Sequence, residues 1–308
     1  MATTAAETRA RRTVSPLRFA QLALASAVSL YLIILSGAAV RLTGSGLACE
    51  AWPGCQQGAF FPAANHHSFV EFGNRLVAIF PLTLTLVAWI AARRTPGLPR
   101  WVTWLAAATF LGTLAQAPLG RLTISLDLHP LMVMTHFLLA LAVLAGGVVV
   151  AMEGWSALRG RSEPLVPHWA RLLGLVVGAA AVVLIVTGTF TTAAGPHPGD
   201  EADIDRFWNL LDAVEIHVRA TAVFGLSFLV LLVLLARTRA RVGRLLTLAL
   251  VLLGLLLAQM AVGEIQWRNQ LPWGVVLVHV ALAGAVWGTV VAFVTALWRP
   301  PAALAPRQ

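Results

Sequence analysis

Charge is scarce in this 308-residue sequence: 11% of residues are charged, against 58% hydrophobic. That balance lies far from the composition of water-soluble domains and excludes an ordinary globular reading. Lysine is absent, so all 22 basic residues are arginine. Cysteine is nearly absent too, with only Cys49 and Cys55, five residues between them. A quinone-coupled thiol oxidoreductase normally needs a second cysteine pair to pass electrons onward, and the sequence has none. In an oxidising compartment, one closely spaced pair reads as a disulfide.

What the sequence does have is apolar length. Eight stretches near 18–40, 69–92, 101–121, 131–152, 169–192, 210–236, 245–264 and 273–298 are each about as long as a bilayer-spanning helix requires. The predicted fold class is therefore all-α integral membrane, with eight transmembrane helices. No small-residue cleavage site follows the first apolar stretch, so it is expected to be a retained helix and not a signal peptide.

Sixteen arginines fall in the N-terminal tail, alternate loops and the C-terminal tail: Arg9, Arg11, Arg12 and Arg18; Arg93, Arg94 and Arg100; Arg159, Arg161 and Arg171; Arg237, Arg239, Arg241 and Arg244; Arg299 and Arg307. The opposite loops carry Glu50, Asp127 and the run Asp200, Glu201, Asp203, Asp205. Positive charge stays on the cytoplasmic side, so both termini are expected there, in a bacterial-type plasma membrane. The same bias accounts for the net charge of +9 without invoking nucleic acid.

A shift of 143 positions superposes Leu114-Ala115-Gln116 through Gly120 on Leu257-Ala258-Gln259 through Gly263, and His136 on His279. Leu139, Ala140, Ala142 and Val143 fall on Leu282, Ala283, Ala285 and Val286. Helices three and four thus match seven and eight. An even number of helices per unit gives two repeats of one orientation, related by an axis along the membrane normal. The expected organisation is a tail at 1–17, a four-helix half at 18–152, a cytoplasmic linker at 153–168, a second half at 169–298 and a tail at 299–308. The same shift lays Asn74 on His217. A slip of one residue would instead align Val70-Glu71 and Arg75 with Val214-Glu215 and Arg219.

His66, His67, His129, His168 and His197 fall in loops or at helix edges, where solvated polar surface is the default. His136, His217 and His279 lie inside apolar helices, each about 10 Å from the outer end at 1.5 Å per residue. A lone intramembrane histidine is more often a hydrogen-bonded packing residue. Two at repeat-equivalent positions and a third at the same depth favour metal or heme ligation between helices. Zinc fits less well, because no cysteine or clustered carboxylate shares that layer. Glu71, Asn74 and Arg75 stand on one face of helix two, either as an interfacial ion pair or as part of a site.

The run Gly37-Ala38-Ala39-Val40-Arg41-Leu42-Thr43-Gly44-Ser45-Gly46-Leu47-Ala48-Cys49, followed by Trp52-Pro53 and Cys55, closes helix one. With Glu71 and Arg75, Gln116 through Gly120 and the histidines of helices four, six and eight, it makes the chain resemble the heme A synthase family over essentially its whole length. The resemblance implies an oxidoreductase that oxidises the ring methyl of heme O to a formyl group by successive hydroxylations, giving heme A for terminal cytochrome oxidase. It implies that His217 and His279 hold a heme b cofactor in the second half, and that the first half receives heme O as substrate. His136 matches one first-half ligand, while Asn74 stands where the family pattern has histidine before arginine. Glu71 becomes the leading catalytic candidate, with Asn74 and Arg75 beside it. Arg75 pairs with Glu71 or a propionate, and Arg41 suits a propionate. For Cys49 and Cys55, a redox or heme-handling role is the sharper alternative to a staple. Expected partners are the lipid membrane, heme O synthase, the cytochrome oxidase assembly machinery, an electron donor and further copies of the chain in a homo-oligomer.

Two other classes compete. A membrane heme protein relaying electrons from quinol without modifying heme would carry full histidine pairs in both halves, and Asn74 argues against it. A parallel-repeat transporter would show Gly/Pro-broken helices at its substrate site, and the helices are expected to lack them.

Overall fold

A computed structural model describes residues 13–200 and 206–305, without the side chains at 240 and 241. Arg9, Arg11, Arg12, Arg307, Glu201, Asp203 and Asp205 lie outside the described residues. Eight helices are long and apolar enough to cross a membrane: α1 Pro16–Leu42, α2 His66–Arg94, α3 Arg100–Ser125, α4 Pro130–Arg159, α5 His168–Ala194, α6 Leu210–Arg237, α7 Arg244–Arg268 and α8 Trp273–Trp298. Among the described residues there is no strand. In hydrocarbon, backbone N–H and C=O groups must find partners within the segment, so long apolar runs become helices.

Polar residues mark where several of them start. Ser15 caps α1 ahead of Pro16, Asn65 accepts from Ser68 N at the start of α2, and Asn209 caps α6. His129, expected to be solvated surface, is the N-cap of α4 and accepts from Leu131 N at 3.3 Å. The helix α4 continues to Arg159, so the connector between halves is shorter than the expected 153–168 linker. α2 is interrupted at Ala78 between His66–Val77 and Ile79–Arg94. Pro81 lacks the N–H that would bond the Val77 carbonyl, which loosens the helix there. Pro118 sits within α3 without ending it.

Within the first half, α1 packs on α2 and α4, and α3 packs on α2 and α4. The second half repeats the pattern with α5, α6, α7 and α8. Between the halves, α1 meets α8, α4 meets α5 and α4 meets α8. Exchanging α1 with α5 and α4 with α8 leaves that set unchanged, which is consistent with two repeats about an axis along the bundle. Each half has its own apolar core: Phe224, Phe228, Leu231 and Phe293 in the second, Phe19, Ala23, Val102 and Val150 in the first. Leu30, Ile34, Leu141 and Leu144 join them at the seam, where Trp287 Nε1 donates to Leu141 O at 2.8 Å. Large apolar side chains such as Leu226, Val230, Val251 and Leu257 are exposed on the outside, as lipid-facing surface requires.

The Arg-rich end has an interfacial character of its own. Arg93 lies over Trp89, Arg159 over Trp155, Arg171 over Trp298 and Arg299 over Trp101, with guanidinium carbons 4.9–5.9 Å from the ring centroids.

Candidate functional site in the outer half of the bundle

His136, His217 and His279 stand six, seven and six residues from the outer ends of α4, α6 and α8. Each ring lies over a glycine of the preceding helix: His136 over Gly120, His217 over Gly188 and His279 over Gly263. The hydroxyl of Thr187 donates to Leu184 O at 2.9 Å and lies 3.2 Å from His217 Nδ1. A hydroxyl has one proton, so Nδ1 is the donor to Thr187 and Nε2 keeps the lone pair. At His279 the amide Nε2 of Gln259 lies 3.1 Å from ring Nε2. An amide nitrogen only donates, so the lone pair of His279 is again on Nε2.

Several buried polar atoms here make no hydrogen bond: His136 Nδ1, Gln116 Oε1 and Asn74 Oδ1 in the first half, His279 Nδ1 and Gln259 Oε1 in the second. Buried polar groups are nearly always paired, so this concentration in one layer of each half marks a place built for something polar or metallic. Among the described residues no cluster of three or more His, Cys, Asp or Glu could hold a bare metal ion. Imidazole nitrogen is a heme-iron ligand, and His217 keeps a lone pair on Nε2 for one, whereas that of His279 becomes free only when the Gln259 amide turns away.

Above this layer, α2 is fastened to the loop that follows α1. His67 Nδ1 lies 2.9 Å from Ser45 Oγ, Ser68 Oγ donates to Ala48 O at 2.9 Å, and Cys49 N donates to Glu71 Oε2 at 2.8 Å. Arg75 pairs with the other oxygen of Glu71 and donates to the carbonyls of Ala51 and Gly54. Cys49 and Cys55 form a disulfide buried beside Phe72. Glu71 and Arg75 thus pair as expected, with the hydrogen bonds of both directed to the cysteine loop. Asn74, one turn from Glu71, makes no such contact through Oδ1.

Arg41, read as a propionate partner, reaches across to the second half, where Nη2 donates to Thr192 O at 2.7 Å. Arg206 donates to the same carbonyl at 3.3 Å. Nearby, Gly46 N donates to Gly199 O at 2.7 Å. A β-carbon at Gly46 would lie 2.8 Å from that oxygen, so only glycine lets the two loops meet. Beside the junction is a polar cavity of about 260 Å³ lined by Gly44, Ala48, Asn65, His67, Ser68 and Asp200.

Sequence reasoning placed His67 among solvated loop residues and gave no role to Thr187 or Gly188. Gln116 and Gly120 entered it as landmarks of the repeat and of the resemblance, and Gln259 and Gly263 as landmarks of the repeat alone. Their spacing of four residues, which puts amide and glycine on one helix face toward the histidine, was the available signal.

Fold and site together define a polytopic helical membrane protein with an interior layer of buried imidazoles beneath a disulfide-closed loop at the end away from the arginines. Residues 20–291 match the COX15-CtaA model, described as cytochrome oxidase assembly protein, and the chain belongs to that family. It is 25% identical to the heme A synthase of Shewanella oneidensis over 87% of this chain and 93% of that protein. Other matches are local. The heme A synthase of Bacillus pumilus is 29% identical over 44% of this chain and 45% of its own length, and that of Macrococcus caseolyticus 42% identical over 21% and 22%.

Proposed function

We propose that this protein is a heme A synthase, oxidising the ring methyl of heme O to a formyl group in the outer half of the first four-helix unit. What supports this reading is an asymmetry between the repeats: the second half carries His217 and His279, and the first carries His136 and, at the repeat position of His217, Asn74.

In the second half, His217 and His279 would hold heme b through their Nε2 atoms. Heme b bound there would supply a one-electron redox centre. In the first half, His136 would hold the iron of the substrate heme O from one side, and Asn74 would leave the other side open. Glu71 is buried, with one oxygen held by Cys49 N and the other by Arg75. So held, its carboxylate accepts a proton from the substrate or balances positive charge developing on it. Arg41, held at Thr192, offers the propionates a cation where the two halves meet. The enzyme would lie in a bacterial-type plasma membrane with its Arg-rich end and both termini in the cytoplasm. It would take heme O from heme O synthase and deliver heme A to oxidase assembly.

The test is extraction and chromatography of hemes from cells making heme O, with and without this chain. Heme A is expected only when the chain is present. Its absence from cells that contain the folded protein would rule the reading out.

A further inference from the structure

The glycines behind the histidines are not equally close. A β-carbon at Gly188 would lie 3.0 Å from His217 Cε1, 3.5 Å from Nδ1 and 3.8 Å from Nε2. One at Gly263 would lie 3.2 Å from His279 Cε1, and one at Gly120 would lie 3.4 Å from His136 Cε1. Carbon atoms attract best at about 3.5–4.0 Å. A methyl group behind either second-half ring would therefore push the ring back by a few tenths of an ångström, whereas behind His136 it would reach the edge of ordinary contact. On α1, which packs on α2, a β-carbon at Gly37 would meet nothing within 4 Å.

We propose that Gly188 and Gly263 are positioning residues that lock His217 and His279 in one ring orientation for a permanently held heme, while the looser backing of His136 by Gly120 suits a heme that enters and leaves. The proposal rests on the heme-ligand reading given above. Its physical basis is that a ring whose Cε1 is set against a helix at a glycine cannot swing away without opening a void. Thr187 fixes rotation of His217 by taking the Nδ1 proton. Such outer partners orient a ligand nitrogen and tune its strength toward the metal. A resident cofactor gains from a rigid pair of ligands. A substrate heme that is bound, altered and released on each turnover gains from slack.

Gly188→Ala, Gly263→Ala, Gly120→Ala and Gly254→Ala proteins are purified at full length with bound heme b. Release of that heme to an excess of apo-globin is then followed, together with the low-spin electron paramagnetic resonance signal. A β-carbon at Gly254 meets nothing within 4 Å, so that variant is the control within α7. Release is expected to quicken about 10- to 100-fold in Gly188→Ala and Gly263→Ala, the scale on which lost second-layer support weakens a metal site. Gly120→Ala and Gly254→Ala are expected to match the wild type. Alanine is the better helix former, so helix propensity alone predicts firmer helices in all four.

Unchanged release in both Gly188→Ala and Gly263→Ala overturns the proposal, as does equal quickening in Gly254→Ala. Should Gly188→Ala not accumulate, Thr187→Val adds no bulk behind the ring and is expected to shift the resonance g-values. An unchanged signal there, with unchanged release in Gly263→Ala, also overturns the proposal. If His217→Ala and His279→Ala both keep the low-spin signal, the underlying ligand reading fails instead.

Discussion

Glu71 is 3% exposed, yet it sits near the outer end of a membrane-spanning helix, where an unpaired carboxylate would be costly. Arg75 offsets that cost, and the Cys49 N–H takes the remaining oxygen. The contacts show Glu71 fastening the cysteine loop, and the proposed function gives it a second role, carrying charge beside the substrate. Two substitutions separate them. Glu71→Ala is expected to abolish conversion of heme O while heme b stays in the second half. Glu71→Gln keeps an acceptor for Cys49 N and removes the charge, so it is expected to lose heme A equally while the disulfide still forms. Chromatography of extracted hemes decides it, and wild-type heme A in Glu71→Gln would leave only the fastening role. At the iron, His217→Ala or His279→Ala is expected to lose the low-spin heme b spectrum and His136→Ala to retain it. An intact spectrum in both of the first two variants would contradict the ligand assignment. These three histidines were legible because imidazole is conspicuous in an apolar run at a fixed depth. Gly188 and Gly263 were not, because a glycine's importance depends on which neighbouring helix lies against it.

At the scale of elements, apolar length alone located all eight helices, since hydrocarbon leaves the backbone no other way to pair its polar groups. It located their ends less well. α4 runs on to Arg159 because the buried carboxylate of Glu153 is neutralised by arginines from beyond the helix, a long-range fact that a local pattern does not carry. The break in α2 is similar, since Pro81 is visible in sequence but the interruption three residues earlier depends on packing. The most informative element is the pairing of α2 with the loop at residues 43–65. Its ion pair is shielded, with side-chain exposures of 4% for Glu71 and 15% for Arg75. Arg75→Ala would strand that carboxylate and free the Ala51 and Gly54 carbonyls, at an expected cost of about 3–5 kcal/mol. Arg268→Ala, from a pair exposed by 75% and 58%, should cost far less. Thermal unfolding in detergent compares them, and equal midpoints would show that the loop is held by other contacts. The same loop is expected to show no free thiols on alkylation without reductant. Two readily alkylated cysteines in fresh membranes would contradict the disulfide.

At the scale of the whole molecule, the halves are joined differently at the two ends. The outer junction is made by backbone and by the guanidinium of Arg41 on the carbonyl of Thr192, beside a polar cavity. The Arg-rich end is closed by a charge that cannot be left alone. Glu153 on α4 is 1% exposed and is paired with Arg161 of the connector and with Arg299 just past α8. Backbone bonds from Ser162 N to Pro300 O and from Ala302 N to Gly160 O run alongside. Each arginine is partly exposed, 30% for Arg161 and 40% for Arg299, so losing either one alone leaves the carboxylate a partner and should cost only about 1 kcal/mol after solvent screening. Losing both buries an uncompensated charge, with an expected cost of about 3–5 kcal/mol, well above the sum of the single changes. The double variant Arg161→Ala with Arg299→Ala should therefore unfold at lower temperature than additivity predicts and become protease-sensitive within residues 160–167. If both singles and the double prove additive and the connector stays resistant, the halves are held by the apolar seam around Leu141 and Trp287, and the buried carboxylate is not what fastens them.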